Sequence, residues 1–211
     1  MADRYASFAA LAAKETRGTH YEIFVNDRRT ALVIFAPHGG WIEPGTSEIA
    51  KAIAQDTYSI YSFEGLPPAR QHRDLHITSH RFDEPQALQL VESAAGAIAI
   101  HGRSDNGDPA SIHMGGRDGA LRDRIALCLK AADFIVTLAP PGMSAVDPAN
   151  ICNRGTTGGG VQLELPRTLR DELKASLVRM EAFSAAVRDA IDHHWSARRW
   201  MPDQVRHDEE G

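Results

Sequence analysis

The sequence predicts an α/β chain, a three-layer sandwich with a mixed central sheet. Three observations carry this expectation. Short apolar runs of strand length recur between stretches of helical periodicity, the pattern that builds a sheet covered by helices. One of these runs, "AIAIHG" at 97–102, is apolar at consecutive positions, as a strand buried on both faces must be. The first two runs, "YEIFV" at 21–25 and "ALVIFA" at 31–36, are split only by a polar turn, which predicts an opening hairpin and so an antiparallel component.

The elements follow in order. Residues 5–15 read as an amphipathic helix, and the predicted hairpin comes next. Thr46 and Ser47 precede "EIAKAIAQ" and offer hydroxyls for an N-cap. "TYSIYSFE" at 57–64 is β-branched and aromatic, which predicts a strand; "LPPARQHRD" predicts a loop. "LHITS" at 75–79 predicts a short strand in which His76 alternates with Ile77. "FDEPQALQLVESA" starts a helix with Asp83 as cap and Pro85 in its first turn. The apolar strand at 97–102 precedes a helix over "RDGALRDRIALCLKAADF" and a strand at "IVTLA". A loop rich in Pro, Gly and Asn runs from about 139 to 160. "VQLEL" at 161–165 alternates as a strand should, and two helices follow at 166–174 and 176–195. No repeat and no linker divides the chain, so residues 1–195 are expected to form a single domain. Residues 196–211 mix charges around a proline with little apolar pattern, which predicts a flexible tail.

The totals narrow the function. A net charge of −5 over 211 residues gives no general attraction to nucleic acid or to an anionic membrane. No basic stripe, helix-turn-helix or interleaving of aromatic and basic residues is visible. No stretch approaches the ~20 apolar residues of a membrane span, and the first residues lack the form of a secretory signal; the expected location is cytoplasmic. Two cysteines make no disulfide framework. Cys128 sits in an apolar helical pattern, and Cys152 reads as a buried thiol or as a neighbour of a site.

Reactive side chains gather where α/β sheets bind ligands, beyond the carboxyl ends of strands. "APHGGWIEPGT" follows the run "ALVIF" and holds His38 and Glu43; His101 ends "AIAI"; Glu164 lies near the end of "VQLEL". A catalytic zinc takes three nitrogen or oxygen ligands and keeps one position for water. His38, Glu43 and His101 would make such a set, with Gly39 and Gly40 letting the backbone fold back so that two ligands reach one ion. Each residue also has an ordinary reading, as a hydrogen-bonded polar group at a strand end. Val161, Leu163 and Leu165 face one side of their strand; Gln162 and Glu164 face the other, either as a solvent face or with Glu164 as a general base. Asn153 and Arg154 together can clamp a carboxylate. Arg81, Arg103 and Arg117 are further basic candidates near the same strand ends. His76 reads as structural, and His113 as a neighbour of the site rather than a ligand. "HGG" and "TTGGG" lack the context of a dinucleotide or phosphate loop.

"PHGGWIEPGTSEIA", "YSFEG", "LHITSHRFDEP", "AIAIHG" and "NRGTTGGGVQLELPRTLR", in this order, resemble the poly-γ-glutamate hydrolase family, also known as phage-related replication proteins. The resemblance spans about residues 5–195. It implies a fold similar to zinc carboxypeptidases and one zinc per chain on the positions of His38, Glu43 and His101. It further implies that Glu164 is the base and that Asn153 and Arg154 hold a substrate carboxylate. In carboxypeptidases that last pair precedes the third zinc ligand; here it follows His101. The implied substrate is an anionic glutamyl polymer. The rivals are a small N-acyl amino acid, as in N-formylglutamate amidohydrolase or aspartoacylase-like enzymes, with Trp41 and residues 104–116 lining a smaller pocket; a replication-associated DNA-binding protein; and a domain that keeps zinc only for folding.

Overall fold

Seven strands form one sheet: β1 (Tyr21–Asn26), β2 (Leu32–Gly40), β3 (Ser59–Gly65), β4 (Gly96–Arg103), β5 (Ile112–Gly115), β6 (Val136–Leu138) and β7 (Val161–Pro166). The computed structural model describes residues 3–67 and 72–199. Strand order is β1-β3-β2-β4-β7-β5-β6. β3, β2, β4 and β7 run parallel as neighbours, while β1 pairs antiparallel with β3 and β5 antiparallel with β7. The mixed sheet is as expected, but the opening hairpin is not formed. β2 is buried along nearly its whole length and needs a strand on each side, whereas β1 is half exposed and fits an edge. Residues 27–31 therefore cross the start of β3, where the Arg28 N–H donates to Ser59 Oγ at 3.0 Å.

The alternation of β4 divides the interior. Ile98 and Ile100 face one core with Ile34, Leu163 and Leu165. Helices α2 (Thr46–Ala54), α5 (Gly119–Ala131), α6 (Arg167–Ala175) and α7 (Leu177–Arg199) cover that side. Ala97 and Ala99 face the other core with Phe35, Tyr61 and Phe63. That side is covered by α1 (Phe8–Ala12), α4 (Pro85–Ser93) and the 3₁₀ turn Ile151–Asn153. Cys152 is buried in this second core and its thiol is pushed up to about 12 by burial, so it is a packed side chain. Among the described residues no helix is long and apolar enough to cross a membrane.

Several local expectations shift. The helix α1 is shorter than residues 5–15. The N-cap of α2 is Gly45, at φ 102°, one residue before Thr46. The cap of α4 is Glu84, whose side chain accepts from the Ala87 N–H, while Asp83 accepts from the Phe8 N–H. Residues 75–79 form no strand; α3 (His72–Leu75) and a 3₁₀ turn (Ser79–Arg81) flank three residues without regular structure. Their polar atoms are satisfied elsewhere: Asp3 takes the Thr78 N–H, and the Ile77 carbonyl takes a histidine N–H. The strand β5 lies within residues 104–116, where the sequence predicts no strand. The helix α7 continues to Arg199, and the rest of the expected tail, residues 200–211, lies outside the described residues.

Asp3 ties the chain's beginning to this segment. It accepts from His76 Nδ1 at 2.6 Å, from the Thr78 N–H at 2.8 Å, from Thr78 Oγ1 at 2.7 Å and from Arg81 Nη2. Burial raises its pKa, but the Thr78 N–H and hydroxyl and the His76 ring outweigh burial and hold the carboxyl far below the usual range. A depressed carboxyl adds stability in full above the unfolded pKa of about 4 and loses it as pH falls toward the folded value. Asp3→Asn is expected to cost about 2–4 kcal/mol at pH 7. In urea titrations the gap to the parent should narrow between pH 5 and pH 2; a gap independent of pH would refute this account.

Candidate metal centre

The carboxyl ends of β2, β4 and β7, adjacent and parallel, open into a cavity of about 940 Å³. His38, Glu43, His101 and Glu164 all line it. A bulge delivers the first: between Ala36 and Gly39 the pairing of β2 with β3 shifts by one residue. Pro37 lacks the N–H that regular pairing would use, and a bulge re-aims the adjacent side chain. His38 is thereby turned into the site. Gly39 is required by close approach: a Cβ there would lie 2.2 Å from Ser47 Oγ and 2.7 Å from Ser62 Oγ. The following turn is closed by the Glu43 N–H on the His38 carbonyl at 2.8 Å and by Thr46 Oγ1 on the Glu43 carbonyl at 2.9 Å. The hydroxyls expected to cap α2 instead fix this turn; Ser47 Oγ accepts the Gly40 N–H.

Three side chains converge. His38 Nδ1 lies 3.2 Å from His101 Nδ1 and 3.2 Å from Glu43 Oε1, and His101 Nδ1 lies 3.7 Å from Glu43 Oε2. Ligands of a tetrahedral zinc at its usual bond lengths sit about 3.3 Å apart. The outer atoms are already fixed. His38 Nε2 donates to the Ile77 carbonyl at 2.9 Å, which leaves Nδ1 as the neutral ring's lone pair. His101 Nε2 lies 3.3 Å from Ser79 Oγ. The Gly102 N–H donates to Glu43 Oε2 at 2.7 Å. This donor set fits zinc by spacing and by chemistry.

The surroundings favour an ionised Glu43 at this point despite its burial. Burial opposes ionisation of Glu43, but His38, His101 and the Gly102 N–H hold its carboxyl down at about 2. Burial also disfavours the His38 imidazolium, yet Glu43 raises that ring above its ordinary value. Glu164 is pushed up to about 8, first by burial and then by the Glu43 carboxylate. It pairs in register with His101 on β4 and with His113 on β5, so the three share one face of the sheet.

His76, read from sequence as a structural strand residue, stands against the centre. Its ring packs on His38 at 4.0 Å between centroids with the planes tilted by 35°, and a ring nitrogen lies within 4.8 Å of donor atoms of His38 and Glu43. His101 Nδ1, 3.2 Å from His38 Nδ1, stands at tetrahedral ligand spacing from that ring. His113 Nε2 lies 3.3 Å from Asp108 Oδ2.

The basic residues are arranged differently from the sequence expectation. Arg154 lies outside the cavity, with Nη2 on Glu92 Oε1 at 2.6 Å. Asn153 is buried and spent: Nδ2 donates to the Ala145 and Asp147 carbonyls, and Oδ1 accepts from the Arg117 and Gly160 N–H groups. It shapes the long loop and does not face the cavity. Arg81 is exposed on Asp3, and Arg117 is exposed and away from the lining. Arg103 does line the cavity, but its guanidinium holds the carbonyls of Ser104, Asp105, Asp108 and Ser111 and the Asp108 carboxylate. Trp41 is exposed outside the lining.

Two arginines that sequence reasoning passed over line the cavity, Arg167 and Arg170. The signal was the "RTLR" that follows "VQLELP", which starts α6 at the carboxyl end of β7. The Arg170 guanidinium is buried beneath Gly102, where a Cβ would lie 2.4 Å from Cζ. It donates to the carbonyls of Pro44, Arg103 and Leu165. Arg167 is exposed at the rim, with Nε on Asp171 Oδ2 at 2.7 Å. No hydrogen bond engages its Nη groups among the described residues.

Comparison with known proteins gives a consistent picture. A family model described as poly-gamma-glutamate hydrolase matches residues 5–187. The SPbeta prophage-derived UPF0714 protein YoqZ of Bacillus subtilis is 38% identical over 176 residues. That match covers 82% of this chain but 62% of YoqZ, so the chain spans less than two thirds of this relative. A solved bacteriophage poly-gamma-glutamate hydrolase matches with a TM-score of 0.87 and 30% identity, over 93% of this chain and 100% of that one. A zinc-free apo structure of YndL matches with a TM-score of 0.84 and 30% identity, over 92% and 100%. An N-formylglutamate amidohydrolase from Ralstonia eutropha shares the fold alone, with a TM-score of 0.53 and 12% identity over 85% of this chain and 99% of that one.

Proposed function

The chain belongs to the poly-gamma-glutamate hydrolase family, and from that membership we propose that it is a zinc-dependent amidohydrolase that cleaves γ-glutamyl amide bonds of an anionic polymer. One observation carries the proposal. His38 Nδ1, His101 Nδ1 and a Glu43 oxygen stand at zinc-ligand spacing in a wide cavity, with the buried carboxyl of Glu164 on the strand beside His101.

Zinc bound by these three residues supplies Lewis-acid polarisation of the scissile carbonyl and makes water more acidic. The chain's own groups do the rest. Glu164 accepts a proton from the attacking water as its oxygen bonds to the carbonyl carbon. As the carbon–nitrogen bond breaks, Glu164 returns that proton to the leaving nitrogen, so the products are a carboxylic acid and an amine. Burial and the Glu43 carboxylate raise its affinity for a proton, which favours the first transfer once the carboxyl is ionised. The Arg167 guanidinium at the rim, with its Nη groups not engaged among the described residues, is placed to receive a side-chain carboxylate of the polymer. Buried Arg103 and Arg170 add positive potential to the lining despite the chain's net −5.

The test is the length of poly-γ-glutamate after incubation with purified protein, with and without a chelator. Shortening that the chelator stops and zinc restores is expected. An intact polymer with folded, zinc-loaded protein would sink the substrate assignment and turn the search to small N-acyl amino acids. Arg167→Ala should raise KM for the polymer about tenfold at unchanged zinc content, the loss of one charge-assisted contact. An unchanged KM would remove Arg167 from substrate binding.

A further inference from the structure

A chain of buried amides ends on Glu164. Asn150 and Gln162 are 6% and 5% exposed, and both line the cavity. The Cys152 backbone N–H donates to Asn150 Oδ1 at 3.1 Å, Asn150 Nδ2 donates to Gln162 Oε1 at 3.1 Å, and Gln162 Nε2 donates to Glu164 Oε1 at 2.7 Å. The direction of this chain is not arbitrary. A backbone N–H can only donate, so it fixes which end of the Asn150 amide faces Cys152. Asn150 must then present N–H to Gln162, and Gln162 must present N–H to Glu164. Reversing either amide would set two acceptors or two donors against each other in a buried place, at a cost that buried polar groups avoid.

Resting on the reading of Glu164 as the base, we propose that Asn150 and Gln162 are positioning residues that make the two oxygens of Glu164 unequal. Oε1 is committed as a permanent acceptor of the Gln162 amide. Oε2, which has no hydrogen bond among the described residues, is the oxygen that takes the proton from water and returns it to the leaving nitrogen. A carboxyl that rotated freely would present its proton in either of two places, and half of its orientations would be unproductive. The amide chain removes that freedom before substrate arrives, which is preorganisation of the acid–base group. The 3₁₀ turn Ile151–Asn153 acquires a role by this route: its Cys152 N–H, capped by the Asn150 side chain, sets the polarity of the chain.

The test uses Gln162→Leu, which removes the donor at similar size, and Asn150→Asp, which keeps the acceptor for Cys152 and removes the donor to Gln162. Both variants should keep the parent's zinc content and KM within about twofold while kcat falls about 10–100-fold, the range for loss of an outer-shell partner. In the Glu164→Gln background, Gln162→Leu should add no further loss, because the group it positions is already gone. A purely structural role for Gln162 would predict additive losses. The readout independent of activity is the ¹⁵N side-chain amide signal of Gln162, assigned by its disappearance in Gln162→Leu. It should move in Glu164→Gln as well as in Asn150→Asp, because the Gln162 amide bonds both residues. An unmoved signal, or additive losses, would overturn the proposal. A parent protein that leaves poly-γ-glutamate intact would sink the substrate reading, and the amide signal would still decide whether the chain exists.

Discussion

Glu164→Gln is expected to bind zinc as the parent does and to lose about 10²–10⁴-fold in kcat, the usual share of a general base. The substitution keeps the shape of the side chain and removes its capacity to take a proton. The variant can still occupy its place on β7 beside His101 and His113. The native carboxyl is strongly disfavoured as an anion, by burial and by Glu43. The neutral amide avoids that penalty, so the folded state should not suffer, and thermal unfolding should occur at or above the parent's temperature. The check is a pair of measurements: zinc per chain after dialysis, and steady-state cleavage of the polymer. Turnover within a few fold of the parent would remove Glu164 as the base. Loss of zinc with turnover would instead make it part of the ligand set.

The second large effect is at His38. His38→Ala should weaken zinc binding by more than the roughly 10–100-fold typical of losing an outer-shell partner, and activity should fall with metal occupancy. His38 gives Nδ1 to the cluster and anchors the segment at Ile77 through Nε2. Its ring also packs against that of His76. Adding zinc to metal-free parent should raise the unfolding temperature, because the ion binds the folded state; the same addition should leave the variant nearly unchanged. Parent-like zinc content in His38→Ala would overturn the ligand assignment.

The residues legible in the sequence were those whose chemistry and strand position coincide. His38 and Glu43 stand in a glycine-rich turn after an apolar strand, His101 closes another, and Glu164 alternates with leucines. The structure brings these four to one cavity. What was not legible depended on long-range partners. The antiparallel neighbour of β1 is decided by which strand is buried on both faces, which two adjacent runs cannot reveal. Residues 75–79 have the composition of a strand, but Asp3, more than seventy positions earlier, takes the hydrogen bond that a neighbouring strand would have taken. Arg154 and Asn153 sit in a loop of suggestive composition. There Glu92 and four backbone groups claim them first. Apart from Arg103 at the end of β4, the cavity's arginines come from the first turn of α6, because the helix begins where β7 ends.

Arg170 gives this arrangement a mechanical consequence. One guanidinium holds carbonyls that belong to the turn after β2, the end of β4 and the end of β7. A fluctuation that loosened any one of these segments would strand a buried cation without its acceptor, so the three cannot move apart singly. The floor of the cavity should therefore belong to one cooperative unit with the central strands. Its amides should exchange with solvent only at rates set by global opening, while the exposed rim exchanges freely.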